Sequence, residues 1–398
     1  MQASSHSPGE SGNAGKPSDP RTNSQRPGIR RAFSPARPAA LAAVGLLASA
    51  FIALLSGLAP LSPPDPVPEA IILPENPQSL GDPARGYEYL IYGDYIGAGI
   101  PAQLFNAFQP PIPEDKRLLD RKGPSAGIPH EFNRFTMPNG ADVVAGVSCL
   151  GCHAQTFQGE LVVGLGNSLS DFTNRFEAAP VRQAASMLYA AGSPEREALE
   201  QILRGGEALE SAVTPFMGVN PAFRYEELAA AHRNPHDLSW TDDRVFEPNE
   251  VTYPSDVPAW WHIQKKHALY YLGLGRGDFV RAIQQITVVA IKDKEDAARI
   301  ADRMRDLLAY LFTLEAPQYD AYFPDSIDLD LARDGAKVFA SNCAECHGEY
   351  DRSMLGGPAR ETYPNKLISI HEVGTDPYYA ENLRSSGLWE WFNESWYA

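Results

Sequence analysis

The distribution of apolar and polar residues separates one uncharged block near the start of the chain from a long remainder with helical periodicity. Residues 39–59 are 21 positions without a charge, including Leu46-Leu47 and Phe51-Ile52-Ala53-Leu54-Leu55. Such a run is long enough to cross a bilayer as a helix. Further on, Ala297, Ile300, Ala301, Met304, Leu307, Leu308 and Leu311 recur close to a 3.6-residue period and predict a helix over 294–314. Helices are also predicted over the Ala-rich stretch 178–191, over 194–204, where Pro194 suits a first turn, and over 278–290. Gly86-Tyr87-Glu88-Tyr89-Leu90 opens another, which Gly97, Gly99 and Pro101 break. Ser326 or Asp328 can cap a helix reaching Ala340. Residues 109–140 and 213–258, rich in Pro, Gly, Asn and charge, predict loops, and 159–167 ends in a Gly164-Leu165-Gly166-Asn167 turn. The predicted fold class is mainly α with long loops.

Charge changes the picture at the amino terminus. The 398 residues carry a formal charge of −16. Residues 1–38 hold six Lys/Arg against Glu10 and Asp19, a net +4 that leaves −20 for the rest. The acidic balance argues against nucleic acid and against broad adhesion to anionic lipid. The basic head is rich in Ser, Pro, Gly and Asn, a composition that predicts disorder, and its sign places the start of 39–59 in the cytoplasm. A cleaved signal peptide, giving a periplasmic product, is the competing reading of that segment. Gly57-Leu58-Ala59 offers small residues for it, but Pro60 follows directly, so an uncleaved transmembrane anchor is favoured. Seven prolines in 60–80 predict an extended spacer, with globular sequence starting near Gly81. Length accommodates two domains, 81–318 and 326–398, joined through the linker 317–324.

The candidate chemistry lies in two short stretches, Cys149-Leu150-Gly151-Cys152-His153 and Cys343-Ala344-Glu345-Cys346-His347. Cys-x-x-Cys-His is the attachment pattern of a c-type haem. Two thiols one helical turn apart can each form a thioether to a vinyl group, and the following His then reaches the iron as proximal ligand. All four cysteines are used this way. A zinc site from two Cys-x-x-Cys knuckles, or a redox dithiol, is the alternative. Zinc knuckles usually lie closer together, and a dithiol needs no adjoining His. The reading is therefore two covalent haems (iron) on two cytochrome c-like domains, with residues 109–140 wrapped over the first. Arg30-Arg31-Ala32-Phe33 resembles a twin-arginine signal. That route carries folded proteins, whereas c-type haem joins an exported unfolded chain, so the pair reads as ordinary positive flank. The globular part is expected to face the periplasm from the cytoplasmic membrane. No nucleotide fingerprint, Ser-His-Asp signature or further repeat is present.

Taken with Gly86-Tyr87-Glu88-Tyr89-Leu90, Gly164-Leu165-Gly166-Asn167, Pro258-Ala259-Trp260-Trp261, Gly275-Arg276-Gly277-Asp278, Cys346-His347-Gly348 and Val373-Gly374-Thr375-Asp376-Pro377, the chain resembles the dihaem c-type cytochromes. That broad group includes bacterial dihaem cytochrome c peroxidases and rubber-oxygenase-like proteins. The resemblance runs from about Gly81 to the last residue, and only the haem motifs are specific alone. It implies haem binding and electron transfer to a redox partner, which could be a small cytochrome, a cupredoxin or a membrane quinol-oxidising complex. A peroxidase- or oxygenase-like activity with one open haem is the alternative it leaves. Gly335-x-x-x-Phe339 resembles the packing face ahead of the motif in class I domains. Relatives continue past a segment like residues 389–396 into a Pro-rich stretch, whereas 51 residues follow His347 here. Either the gene product is truncated, or the second haem pocket is partly open.

The candidates for sixth ligands are His130, His232, His236, His262, His267 and His371, with Met137, Met187, Met217, Met304 and Met354 as thioether options. His371 follows the apolar run Leu367-Ile368-Ser369-Ile370 and is the first choice at the second haem. His130, His262 and Met137 are assigned to the neighbourhood of the first. Met354 follows His347 too closely to reach the opposite face easily. Trp260 and Trp261 either sit between the haems or fill the core. Lys265, Lys266, Arg276 and Arg281 either pair with propionates or lie on a solvated face. Asn167 and Asp171 are read as turn and cap residues.

Overall fold

The computed structural model describes residues 68–398 except 147, 175–176, 251–254 and 385. The expected basic head, the anchor at 39–59 and the start of the spacer lie outside the described residues. Among the described residues no helix is long and apolar enough to cross a membrane. Val67–Ala398 cluster as one compact unit.

The chain begins with β1 (Ile71–Ile72), α1 (Pro83–Tyr92), β2 (Ile100–Pro101) and α2 (Ala102–Phe108). β3 (Asn133–Thr136) and β4 (Asp142–Ala145) lead into α3 (Cys149–His153), and β5 (Ala154–Phe157) and β6 (Glu160–Val163) follow it. Five helices come next: α4 (Ala178–Leu188), α5 (Pro194–Ala208), α6 (Ala222–Ala230), α7 (Phe279–Gln284) and α8 (Lys294–Leu311). After a single turn at Tyr319–Tyr322, the last part holds α9 (Leu329–Asn342), α10 (Ala344–His347), β7 (Lys366–Leu367), α11 (Ile370–Val373), α12 (Tyr378–Arg384) and α13 (Leu388–Glu394). The strands form a small antiparallel sheet in the order β2-β4-β3, a β5–β6 hairpin and a β1–β7 pair.

α1 and α8 form the main helix contact of the core. Asp82 caps α1 by accepting the Arg85 N–H at 2.9 Å. Asp306 of α8 accepts the Asp82 N–H at 2.6 Å and pairs with the Arg85 guanidinium at 2.9 Å. Gly86 makes the crossing possible, because a Cβ there would stand 1.9 Å from the Asp306 carbonyl oxygen. Every position of the expected apolar stripe on α8 is buried, and Asp293 caps its start. Each fully buried Leu or Ile on that stripe contributes about 1.5–3 kcal/mol.

Both expected loop regions contain regular structure. Residues 133–136, inside 109–140, form a strand that pairs with 142–145; beyond that region, 154–163 fold as a hairpin in which Gln158 (φ 52°) and Gly159 (φ 85°) make the turn. Two consecutive positive φ values suit the right-handed twist of the flanking strands. α6 occupies the middle of the expected loop 213–258, and its charged residues are inside it: Arg224 and Glu227 pair at 2.6 Å in the interior.

The chain crosses the boundary expected at 318–326 in both directions. β1 pairs with β7, aligning Ile71 with Leu367. At the other end Leu383, Leu388, Trp391 and Tyr397 enter the main core, and the Trp391 indole donates to the Arg233 carbonyl at 2.7 Å. Part of the expected spacer is tied down as well. The Leu73 carbonyl meets His267 Nδ1 at 2.8 Å, and Gln78 both donates to the Gly277 carbonyl and accepts the Phe279 N–H, each at 2.8 Å.

Candidate functional site

The first Cys-x-x-Cys-His stretch folds as the single turn α3. Its Leu150 is buried, while Cys149, Cys152 and His153 are half-buried. A turn this short leaves its carbonyls without intrahelical partners. The Gly164-Leu165-Gly166-Asn167 turn supplies them. Asn167 donates its side-chain amide to the Gly151 carbonyl at 3.0 Å and its backbone N–H to Cys152 at 2.8 Å. Gly164 donates to the His153 carbonyl at 2.8 Å. Asn167 is therefore the cap that the sequence suggests, and Asp171 a turn residue accepting from Thr173. The glycines admit residues 257–261: a Cβ on Gly166 would lie 1.9 Å from the Val257 carbonyl oxygen, and one on Gly164 would lie 2.7 Å from the Trp261 ring.

That segment also orients the histidine. His153 Nδ1 lies 3.1 Å from the Pro258 carbonyl oxygen, which fixes Nδ1 as the protonated nitrogen and leaves Nε2 as the lone-pair nitrogen. The ring stacks on Trp260, with centroids 4.5 Å apart and planes at 23°. Burial lowers the His153 pKa to about 4, so the imidazole is neutral, as a metal ligand must be. Burial also raises the Cys149 thiol to about 12 and the Cys152 thiol to about 11. All four cysteines are free of disulfides. Among the described residues no three His, Cys, Asp or Glu side chains converge as a metal-holding cluster.

The second stretch is α10 with Cys343 before it. Asp328, one of the two expected caps, accepts the Asp330 and Leu331 N–H groups at the start of α9. No residue of α9 is buried; Leu331 is 70% exposed and Val338 61%. Phe339 packs on Tyr350 at 5.8 Å, but the close approach expected at Gly335 is not made, since a Cβ there would meet nothing within 4 Å. His347 and Cys346 are exposed. Gly348 is held in place by a backbone contact, with its Cβ position 1.8 Å from the Thr362 carbonyl oxygen.

Residues 258–265 touch the first motif and residues that follow the second. Pro258 and Trp260 touch His153, as described above. Four residues on from Pro258, the His262 ring lies 6.4 Å from Tyr350 and 6.1 Å from Tyr363, and its Nδ1 is buried without a partner. Lys265 pairs with Glu361 at 2.7 Å and bonds the Tyr363 hydroxyl at 2.8 Å. His262, expected near the first motif, thus packs against the tyrosines that follow the second. Tyr350, three residues past His347, and Tyr363 were not singled out in the sequence.

The remaining candidates are distributed as follows. His371 is exposed on α11. His130 is buried, with Nδ1 3.1 Å from the Lys116 carbonyl and Nε2 unpartnered. His232 stacks on Trp240 and approaches the Thr241 carbonyl; His236 is exposed; His267 holds Leu73. Met137 and Met304 are buried in the core, while Met187, Met217 and Met354 are exposed. Arg276 and Arg281 donate to backbone carbonyls, of Gly273 and of Trp396 and Ala398 respectively. Burial lowers the Lys266 pKa. Tyr95 stands beside Cys149, and its hydroxyl donates to the Leu90 carbonyl at 3.0 Å. No protein-family model matches the chain, and the searches of curated proteins and of solved structures found no match either.

Proposed function

We propose that the chain is a dihaem c-type cytochrome that transfers electrons, anchored at the cytoplasmic membrane with its globular part in the periplasm. The observation that carries this reading is the pair of Cys-x-x-Cys-His turns, the first with its His held by a backbone carbonyl and stacked on an indole. Cys149, Cys152 and His153 would hold one haem, and Cys343, Cys346 and His347 the other. When bound, each supplies one-electron redox chemistry at iron. The chain's own contribution is positional. The Pro258 carbonyl sets the tautomer and ring orientation of His153, Trp260 keeps water from one face of it, and Asn167 and Gly164 hold the turn that spaces the thiols. Residues 258–265 put Trp260 against one motif and His262 beside the aromatic neighbours of the other, a short packed connection between the two sites. The charge of −20 outside the head suits a redox partner with a basic docking face, such as a small cytochrome, a cupredoxin or a membrane quinol-oxidising complex, and disfavours nucleic acid.

A second reading on the same scaffold, the alternative that the resemblance leaves, is a peroxidase- or oxygenase-like oxidoreductase with one haem site open. A pyridine haemochrome assay on denatured protein should find two covalent haems per chain, and Cys343→Ala with Cys346→Ala should leave one. Zinc in place of a c-type signal would sink both readings. Electron paramagnetic resonance of the oxidised protein then separates them: two low-spin haems mark the carrier, and one high-spin haem marks the enzyme.

A further inference from the structure

A cavity of about 600 Å³ lies between α2, the loop that follows it and α4, outside the contacts described so far. Its size is that of pockets that take drug-sized organic molecules. Leu104, Phe105, Phe132 and Val181 give it an apolar wall, with Phe105 and Phe132 packed edge to face at 5.0 Å. Five further wall residues are prolines: Pro110, Pro111, Pro113, Pro129 and Pro180. Proline brings no backbone N–H, so an apolar guest covers no donor on these residues. Their fixed φ also reduces the ordering needed on binding.

The polar part of the lining is small and already neutralised. Lys116 Nζ and Glu131 Oε1 pair at 2.9 Å, and Gln109 is the remaining polar side chain. A guest with a full charge would have to break that pair or sit beside the like charge. A neutral carbonyl or hydroxyl can instead accept from the ammonium or donate to the carboxylate with the pair intact. We propose that this cavity binds a neutral lipophile with a prenyl- or alkyl-type tail and one carbonyl or hydroxyl head, such as a lipid-tailed quinone or a prenyl alcohol.

The site adjoins the first motif. The Ser148 N–H, one residue before Cys149, donates to the Glu131 carbonyl at 3.2 Å, and a side chain on Gly151 would begin 3.9 Å from Glu131. A bound head group beside Glu131 is therefore separated from α3 by a single residue. The proposal goes beyond the haem reading and stands independently of it, because the wall residues carry it.

Isothermal titration of the full-length protein in mild detergent with decylubiquinone, farnesol and dodecanoate tests it. Decylubiquinone and farnesol represent the two sources of the neutral head, and saturable binding of either, near one per chain, is the expected result. Dodecanoate should bind at least about tenfold more weakly, because its carboxylate meets Glu131. Val181→Trp fills the cavity and should weaken the neutral ligand at least about tenfold. Ala184→Phe, on the same wall, serves if the first variant does not fold. Three results overturn the proposal: no saturable binding of either neutral ligand, equal affinity for dodecanoate, or unchanged binding in a folded cavity-filling variant. Calorimetry reads the ligand directly, so this outcome is separate from the haem count that tests the function.

Discussion

Replacing Gly348 by Ala bears on how the second motif is held. Gly348 follows His347 with φ 82° and ψ −176°, a region that other residues enter only under strain, at about 1–3 kcal/mol. The added methyl would stand 1.8 Å from the Thr362 carbonyl oxygen and 2.8 Å from its carbon, so the two segments must part. Parting them gives up the Thr362 N–H to Glu349 carbonyl bond at 2.8 Å and the Glu349 N–H to Thr362 hydroxyl bond at 2.9 Å, each worth about 1 kcal/mol. The loss should therefore be about 3–5 kcal/mol. No residue of α9 or α10 is buried, so the loss should fall on this region and leave the α1–α8 core unaffected. Hydrogen exchange read by mass spectrometry provides the assay. Amides of Glu349 and Thr362 should exchange at least about a hundredfold faster, up to the limit of full exposure, since each 1.4 kcal/mol is about tenfold. Peptides of α1 and α8 should keep their protection. Exchange within about threefold of the parent at both amides would refute the reasoning.

Three further outcomes are expected. Trp260→Leu removes the ring stacked on His153 and should cost about 2 kcal/mol in urea unfolding while shifting the midpoint potential of one haem; if neither potential moves, the indole serves only as filling. On the dihaem reading, His371→Ala should make the second haem high-spin and speed cyanide binding at one haem per chain. If both haems stay low-spin, His371 is not a ligand and His262 becomes the position to vary. Burial raises Glu226 to about 8, above its ordinary 4.5, so the native state keeps a proton that the unfolded chain releases. That penalty is absent below about pH 4.5 and grows to a few kcal/mol as pH rises to about 8. Glu226→Gln should flatten this decline in urea midpoints between pH 5 and 8.5; parallel profiles for the two proteins would count against the assignment.

How much was legible in the sequence depends on where each signal lies. α8 was, because a helix half in the core writes its buried face into a 3.6-residue period, and Asp328 and Pro194 mark helix starts by local chemistry. α6 was not, because it is buried on more than one side and keeps Arg224 and Glu227 inside as a pair, so polarity along it does not report exposure. The β5–β6 hairpin was missed because Gln158 takes a positive φ that its side chain does not advertise. The Cys and His residues of the candidate site were plain, since thiols and imidazole are particular side chains at a fixed spacing. Their supports were not: Pro258 acts through its carbonyl, which every residue has, and it comes from 105 positions away. His262 lies two residues past Trp260, yet it neighbours the tyrosines that follow the other motif, because the chain advances far enough in that space to change neighbours.

The β1–β7 pair also sets an order of assembly. Ile71 leaves the synthetic machinery early and must wait for Leu367, while Lys366, beside it in β7, donates to the Glu345 carbonyl inside the second motif at 3.2 Å. Contacts this far apart along the chain pay their loop-closure entropy late. The second cysteine pair therefore emerges before the strand whose Lys366 holds the Glu345 carbonyl. A chain stalled before residue 366 would leave β1 without its partner edge.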